Sequence, residues 1–183
     1  MIRLFVAIDL PWTVRETLVG LCGGLTGVRW TAPENLHLTL RFVGEVRGDV
    51  ADEVDCALQA LRGRRFGLAL SGAGVFERGG HRGTPRSANL WAGIARDERL
   101  EHLQAKIETA LQRAGLPAER RRFQPHVTLA RVDAVPPDAL AAWLKAHNLL
   151  RTEPVEINSF TLFSSQHGPD QPVYTPEVTY ELS

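Results

Sequence analysis

Two short stretches of this chain carry the same set of groups able to do acid/base chemistry. They are His37-Leu38-Thr39-Leu40 and His126-Val127-Thr128-Leu129, each a His-x-Thr-Leu, and they stand 89 residues apart. On a strand, alternation puts His37, Thr39 and Arg41 on one face and Leu36, Leu38, Leu40 and Phe42 on the other. A polar face able to meet a substrate then lies over an apolar face able to pack. Two imidazoles with ordinary pKa values of about 6.5 can be one neutral and one protonated near pH 7. In-line displacement at phosphorus needs such a pair, because one group takes a proton from the nucleophile while the other gives one to the opposite leaving oxygen. The threonine hydroxyls, two residues along, are suited to donate to the non-bridging oxygens as charge builds there. Arginines would add fixed positive charge.

A lone His-x-Thr is weak, since a histidine on a strand is more often a hydrogen-bonded structural residue. The elements around the motifs repeat as well. Residues 2–9 read as a strand, followed by a helix from Thr13 with Val14, Leu18, Leu21, Cys22 and Leu25 at helical spacing. Residues 36–43 read as a strand, Asp49 opens a helix with Val50, Val54, Ala57, Leu58 and Leu61 on one stripe, and residues 66–70 close the unit. The second half runs the same way: a strand at 89–94, a helix from Asp97 with Leu100, Leu103, Ile107 and Leu111 inward, a strand at 123–132, a helix from Pro136-Pro137-Asp138 with Leu140, Trp143 and Leu144, and a strand at 155–163. Asp49 and Asp138, and Phe66 and Val155, are again 89 residues apart. A duplicated β-α-β-α-β unit, about 2–71 and 89–163, follows, and a cleft on its pseudo-twofold axis receives equivalent side chains from both halves. The glycine- and arginine-rich stretch 72–86 reads as a loop outside the repeat, as does the tail 164–183. Strand direction stays open, because β-α-β order suggests a parallel sheet but periodicity does not decide it.

Composition narrows the field. A chain of 183 residues with 44% apolar and 23% charged residues is one folded domain, 1–183, rather than a disordered or fibrous chain. With Lys+Arg 21 against Asp+Glu 21, any nucleic-acid contact must be local. Lys106 and Lys145 are the only lysines, and neither follows the glycine run of a phosphate-binding G-x-x-x-x-G-K-[ST] loop, which disfavours ATP dependence. Zinc chemistry would want H-E-x-x-H or clustered carboxylates near the histidines, so no metal is expected. Cys22 and Cys56 form no C-x-x-C pair and read as small buried hydrophobes on the apolar sides of helices. Asp9 and Pro11 cut short the apolar run from Ile2, so the reading is cytoplasmic, without signal peptide or membrane span. No obligate protein partner is evident.

At the paired motifs the sequence resembles the 2H phosphoesterases, and among them the bacterial RNA 2',3'-cyclic phosphodiesterases, also called 2'-5' RNA ligases. The resemblance rests on Arg3-Leu4-Phe5-Val6-Ala7-Ile8, on residues 33–44 around His37, on Leu90-Trp91-Ala92-Gly93 and on residues 123–131 around His126. It implies an α+β, bilobed fold with antiparallel sheets flanked by helices and a central active-site groove. It also implies His37 as proton donor to the leaving oxygen, His126 as the base that activates water, Thr39 and Thr128 as phosphate ligands, and no cofactor. The substrates it implies are RNA ends with a 2',3'-cyclic phosphate, or cyclic nucleotides. The resemblance further implies that the 3' oxygen departs towards His37, leaving a 2'-phosphomonoester, and that the reverse reaction, attack by a 5'-hydroxyl on the cyclic phosphate, would build a 2'-5' linkage without ATP. Arg131 matches a family position near the groove, yet it stands five residues after His126 where Arg41 stands four after His37, so either a bulge re-aims it or it serves the core rim. The rival reading is a nucleotide- or RNA-end-binding module with little turnover.

Lesser candidates are His81 among Arg78, Arg82 and Arg86 in the 72–86 stretch, His167 in a loop able to overhang the groove, and His102 and His147 on helix surfaces. Phe5 and Trp30 are possible base-stacking rings, with core packing the better reading for Phe5.

Overall fold

Alternating apolar side chains build the strands, and helices with one apolar stripe each cover a face of the resulting sheet. The structure, a computed structural model, describes residues 1–78, 87–133 and 136–183. In chain order the elements are β1 (Ile2–Asp9), α1 (Trp12–Val19), β2 (Val28–Trp30), a 3-10 turn at Pro33–Asn35, β3 (His37–Val46), α2 (Gly48–Gln59), β4 (Phe66–Leu68), β5 (Leu70–Arg78), β6 (Ser87–Ile94), α3 (Glu98–Arg113), β7 (His126–Asp133), α4 (Pro137–His147), β8 (Val155–Ile157), β9 (Ser159–Gln166) and β10 (Val173–Glu181). The class is α+β, and the strand pairs are antiparallel.

Strand direction follows from an exchange between the halves. β4 and β8 pair with each other in a small two-stranded sheet, Phe66 opposite Ile157 and Leu68 opposite Val155. Beyond that clasp the chains cross over: β5 runs beside β6, and β9 runs beside β1. One continuous sheet results, in the order β10-β9-β1-β3-β7-β6-β5, with β2 on β7. Leu70 and Ser159, which open the exchanged strands, keep the 89-residue offset.

The exchange also revises the reading of residues 72–86 as a loop, since the stretch as far as Arg78 belongs to β5; residues 79–86, with His81, lie outside the described residues. Gly74 serves close packing. A Cβ on Gly74 would lie 2.1 Å from the Trp91 ring of the neighbouring strand, so only glycine lets that indole lie flat across β5. The tail is also structured, β9 continuing to Gln166 and β10 adding an edge strand.

Leu100, Leu103, Ile107 and Leu111 of α3 are all buried at the expected spacing, each stabilising by roughly 1.5–3 kcal/mol. Asp97 caps the helix, accepting from the Arg99 and Leu100 N–H groups at 2.8 and 3.0 Å, worth about 1 kcal/mol. The first helix is shorter than its apolar spacing suggested, because Gly20 follows Val19 and Gly23 and Gly24 adopt positive φ. Cys56 is exposed and Cys22 half-buried, so the expectation of two buried thiols does not hold. Among the described residues no helix is long and apolar enough to cross a membrane.

Candidate active site

β3 and β7 meet at one residue pair, Leu38 opposite Val127. Both are fully buried, so the residues on either side of each point the opposite way, into the groove. Because the strands are antiparallel, His37 falls beside Thr128 and Thr39 beside His126. The two histidines are diagonal neighbours across this crossing, a relation that in a regular sheet separates side chains by roughly 7–8 Å. His37, Thr39, His126 and Thr128 all line one cavity of about 530 Å³.

Each imidazole is held by the carbonyl two residues before it. Nδ1 of His37 lies 2.7 Å from the Asn35 carbonyl oxygen and Nδ1 of His126 lies 2.6 Å from that of Gln124. A carbonyl only accepts, so both Nδ1 atoms carry hydrogen and Nε2 is the nitrogen left for chemistry. Each ring is also wedged by aromatics: His37 by Phe5 and Tyr174, with centroids 5.0 and 5.2 Å away, and His126 by Phe76 and Trp91, at 5.0 and 6.2 Å.

Burial pushes the His37 pKa below its ordinary value, and the Arg15 and His126 charges act in the same direction, against the Asn35 carbonyl and Asp9, which raise it. Its imidazolium is therefore a stronger acid than a free one. Among the described residues no protein group hydrogen-bonds the Thr39 or Thr128 hydroxyl, which leaves both free to donate to a ligand in the cavity.

The segment carrying Asn35 is fixed from two sides. Arg15, buried in α1, donates to the Leu10 and Pro33 carbonyls at 2.8 and 2.7 Å and ion-pairs with Asp9. Gln171, from the loop before β10, accepts from Ala32 N at 3.0 Å and donates to the Trp30 carbonyl at 2.9 Å, while Asn35 donates to the Pro172 carbonyl at 2.9 Å. Neither Arg15 nor Gln171 is marked in the sequence, since each acts on backbone brought near by the fold. His167 of the same loop is exposed and borders the cavity, as do Arg3 and Tyr174.

The arginines fall differently from simple alternation. β3 bulges at Leu40, with Thr39 opposite Ala7 but Arg41 opposite Val6; β7 bulges at Leu129, with Thr128 opposite Trp91 but Ala130 opposite Leu90. The two bulges are 89 residues apart and reverse the alternation in both strands. Arg41 is thereby turned away from His37 and Thr39. Its guanidinium is buried, pairs with Glu108 and donates to the Phe42 and Pro117 carbonyls. Phe42 takes the groove side instead and is 59% exposed. Arg131, equivalent in register to Phe42, is re-aimed by the matching bulge to the face of His126 and Thr128, but it is exposed, lies 3.6 Å from Asp133 and lines neither cavity of the groove.

The remaining candidates are packed or solvent-facing. Phe5 is buried in a small cluster with Ala7 and Phe163 on the groove face. Trp30 packs on the main core beside Trp143, which also carries the His147 ring at 4.7 Å. His102 is exposed on α3.

A groove that holds two equivalent His-x-Thr pairs, on strands of one antiparallel α+β sheet, defines a phosphoesterase of the 2H kind. The sequence profile of that class, described as LigT like Phosphoesterase, matches residues 8–86 and 93–174, and the chain belongs to this family. It is an enzyme. The RNA 2',3'-cyclic phosphodiesterase of Escherichia coli (strain K12) is 31% identical over 190 residues, covering 99% of this chain and 97% of that protein. The RNA 2',3'-cyclic phosphodiesterase of Thermotoga maritima is 30% identical, covering 98% and 94%. The crystal structure of E. coli LigT in apo form superposes with a TM-score of 0.78 at 26% identity, covering 100% of this chain and 98% of that one. A crystal structure of E. coli LigT complexed with 3'-AMP gives 0.77 at 27% identity, with the same coverage.

Proposed function

We propose that the protein hydrolyses 2',3'-cyclic phosphodiester ends of RNA to 2'-phosphomonoesters, with the two histidines as acid and base and without a metal ion. The observation that supports this reading is the Leu38–Val127 crossing, beside which both histidines and both threonines line one cavity. His126, its Nδ1 hydrogen held by Gln124, takes a proton from water at Nε2 as the water attacks phosphorus. His37 in the protonated form gives its Nε2 proton to the departing 3' oxygen. Thr39 and Thr128 donate to the non-bridging oxygens, whose charge grows in the transition state.

Burial lowers the His37 pKa in the free protein, and the phosphodiester anion raises it again on binding, so the imidazolium that the donor role needs is populated in the complex. A 5'-hydroxyl in the place of water would attack the same phosphorus, give its proton to His126 and expel the same 3' oxygen, forming a 2'-5' linkage. The names of the relatives support the substrate class.

The test is to incubate the EDTA-treated protein with 2',3'-cyclic adenosine monophosphate and separate the isomeric monophosphates. Predominant 2'-phosphate is expected. Predominant 3'-phosphate would exchange the roles of His37 and His126, and tight binding with no ring opening would leave a nucleotide-binding module in place of a hydrolase.

A further inference from the structure

The cavity of the two histidines does not end at them. Thr39, Phe42, His126 and Thr128 form a strip that also lines a second cavity, of about 690 Å³, on the side away from His37. The first cavity is bordered on its far side by His167, Pro172 and Tyr174. The second is bordered by Phe76 of β5 and by Arg121, Arg122 and Phe123 from the segment joining α3 to β7.

The second cavity carries cationic and aromatic groups. Arg121 and Arg122 are exposed, and among the described residues no carboxylate pairs with either guanidinium. Of the acids at its edge, Glu119 already accepts from the Arg121 backbone N–H at 3.0 Å, and Glu77 lies across on β5. Unpaired guanidinium forks suit phosphate oxygens, which they can engage bidentately. Phe42 adds an aromatic ring that the Leu40 bulge turns out of the core, and such an exposed ring is a stacking platform for any base.

We propose that the second cavity binds the nucleotide immediately 5' of the cyclic-phosphate end, with Arg121 and Arg122 on the connecting phosphate and Phe42 against the base. The inference rests on the function proposed above and deepens it: the preferred substrate is a single-stranded RNA end rather than a free cyclic nucleotide. A chain of net charge +0 draws RNA by such local cationic sites and not by its overall field.

The double variant Arg121→Gln/Arg122→Gln separates the two ideas, compared with the parent protein on 2',3'-cyclic adenosine monophosphate and on a tetraribonucleotide ending in a 2',3'-cyclic phosphate. The parent is expected to have the lower KM for the tetranucleotide. The variant should raise that KM at least about tenfold and flatten its salt dependence, while kcat and KM for the mononucleotide stay within about twofold. An unchanged KM for the tetranucleotide, or an equal loss on both substrates, overturns the second site. If the parent opens neither substrate, the hydrolytic reading fails by itself. Direct binding of a tetranucleotide ending in a 2'-phosphate then decides the site: tenfold weaker binding by the variant supports it, and equal binding rejects it.

Discussion

Glu108 on α3 holds the guanidinium of Arg41 beneath β3, so the arginine nearest the first histidine motif is engaged by the protein itself. Its remaining N–H groups bind the Phe42 and Pro117 carbonyls, the latter on the segment that leads to Gln124 and so to the orientation of His126. Replacing Arg41 by Met should therefore destabilise the protein by about 3 kcal/mol, since it strands a partly buried carboxylate. Urea denaturation measures this. A variant of parental stability that instead loses mononucleotide binding would restore Arg41 as a substrate ligand.

Glu108 makes the same pair pH-sensitive. Burial raises its pKa, but hydrogen bonds from Glu119, Gln112 and Arg41 outweigh that and hold the carboxyl below its ordinary value. The unfolded chain then binds the proton more readily, so this contribution is present above the ordinary carboxylate pKa and is lost as pH falls through the lowered one. Glu108→Gln should weaken the acid dependence of stability below about pH 4.5, where unperturbed glutamates titrate.

His37→Ala and His126→Ala should each lower kcat at least about a hundredfold, with substrate still bound, as expected for loss of a general acid or base. Steady-state kinetics together with direct binding of the monophosphate product test this. Near-parental turnover in either variant would falsify the two-histidine mechanism.

The pH dependence of kcat/KM should be bell-shaped, because one imidazole must be protonated and the other neutral. Burial of His37 places one apparent pKa of the free enzyme below the ordinary histidine value, and bound phosphate should raise it in the kcat profile. Stability follows the same sign: the unfolded His37 binds protons more readily, so its contribution is present above about pH 6.5 and falls as pH drops towards the lowered value. A flat rate between about pH 5 and 8 is the contrary result.

Thr39→Val and Thr128→Val keep shape and remove one hydroxyl each. The expected loss in kcat is about a hundredfold per site, the usual effect of deleting one donor to a developing oxyanion. Thermal unfolding should hardly change, since neither hydroxyl bonds a protein group among the described residues. A fall in stability without a fall in kcat would make the threonines packing residues.

Gly74→Ala tests the wedge behind His126. Its Cβ would meet the Trp91 ring, and the overpacking should cost about 1–3 kcal/mol. Because Trp91 stacks on Phe76 and both flank His126, kcat should fall further than that of a surface variant of equal stability.

The two His-x-Thr pairs, their 89-residue spacing and the apolar stripe of α3 could be read directly, because each is a local pattern of residue types or the repetition of one. The same spacing led to the expectation of one shared cleft, and the four residues of the two motifs line one cavity. Tertiary structure decided what depends on pairing between distant segments. The exchange of β5 and β9 fixed the strand direction, and most of β5 falls in a stretch whose glycines suggested a loop, since Gly74 answers to Trp91 and not to its chain neighbours. The bulge at Leu40 reversed the fates of Arg41 and Phe42, and that at Leu129 those of Ala130 and Arg131, because strict alternation holds only while a strand keeps register with its partner. Arg15 and Gln171 could not be found along the chain at all, for they act on the backbone around Asn35, and which carbonyl a side chain meets is a property of packing.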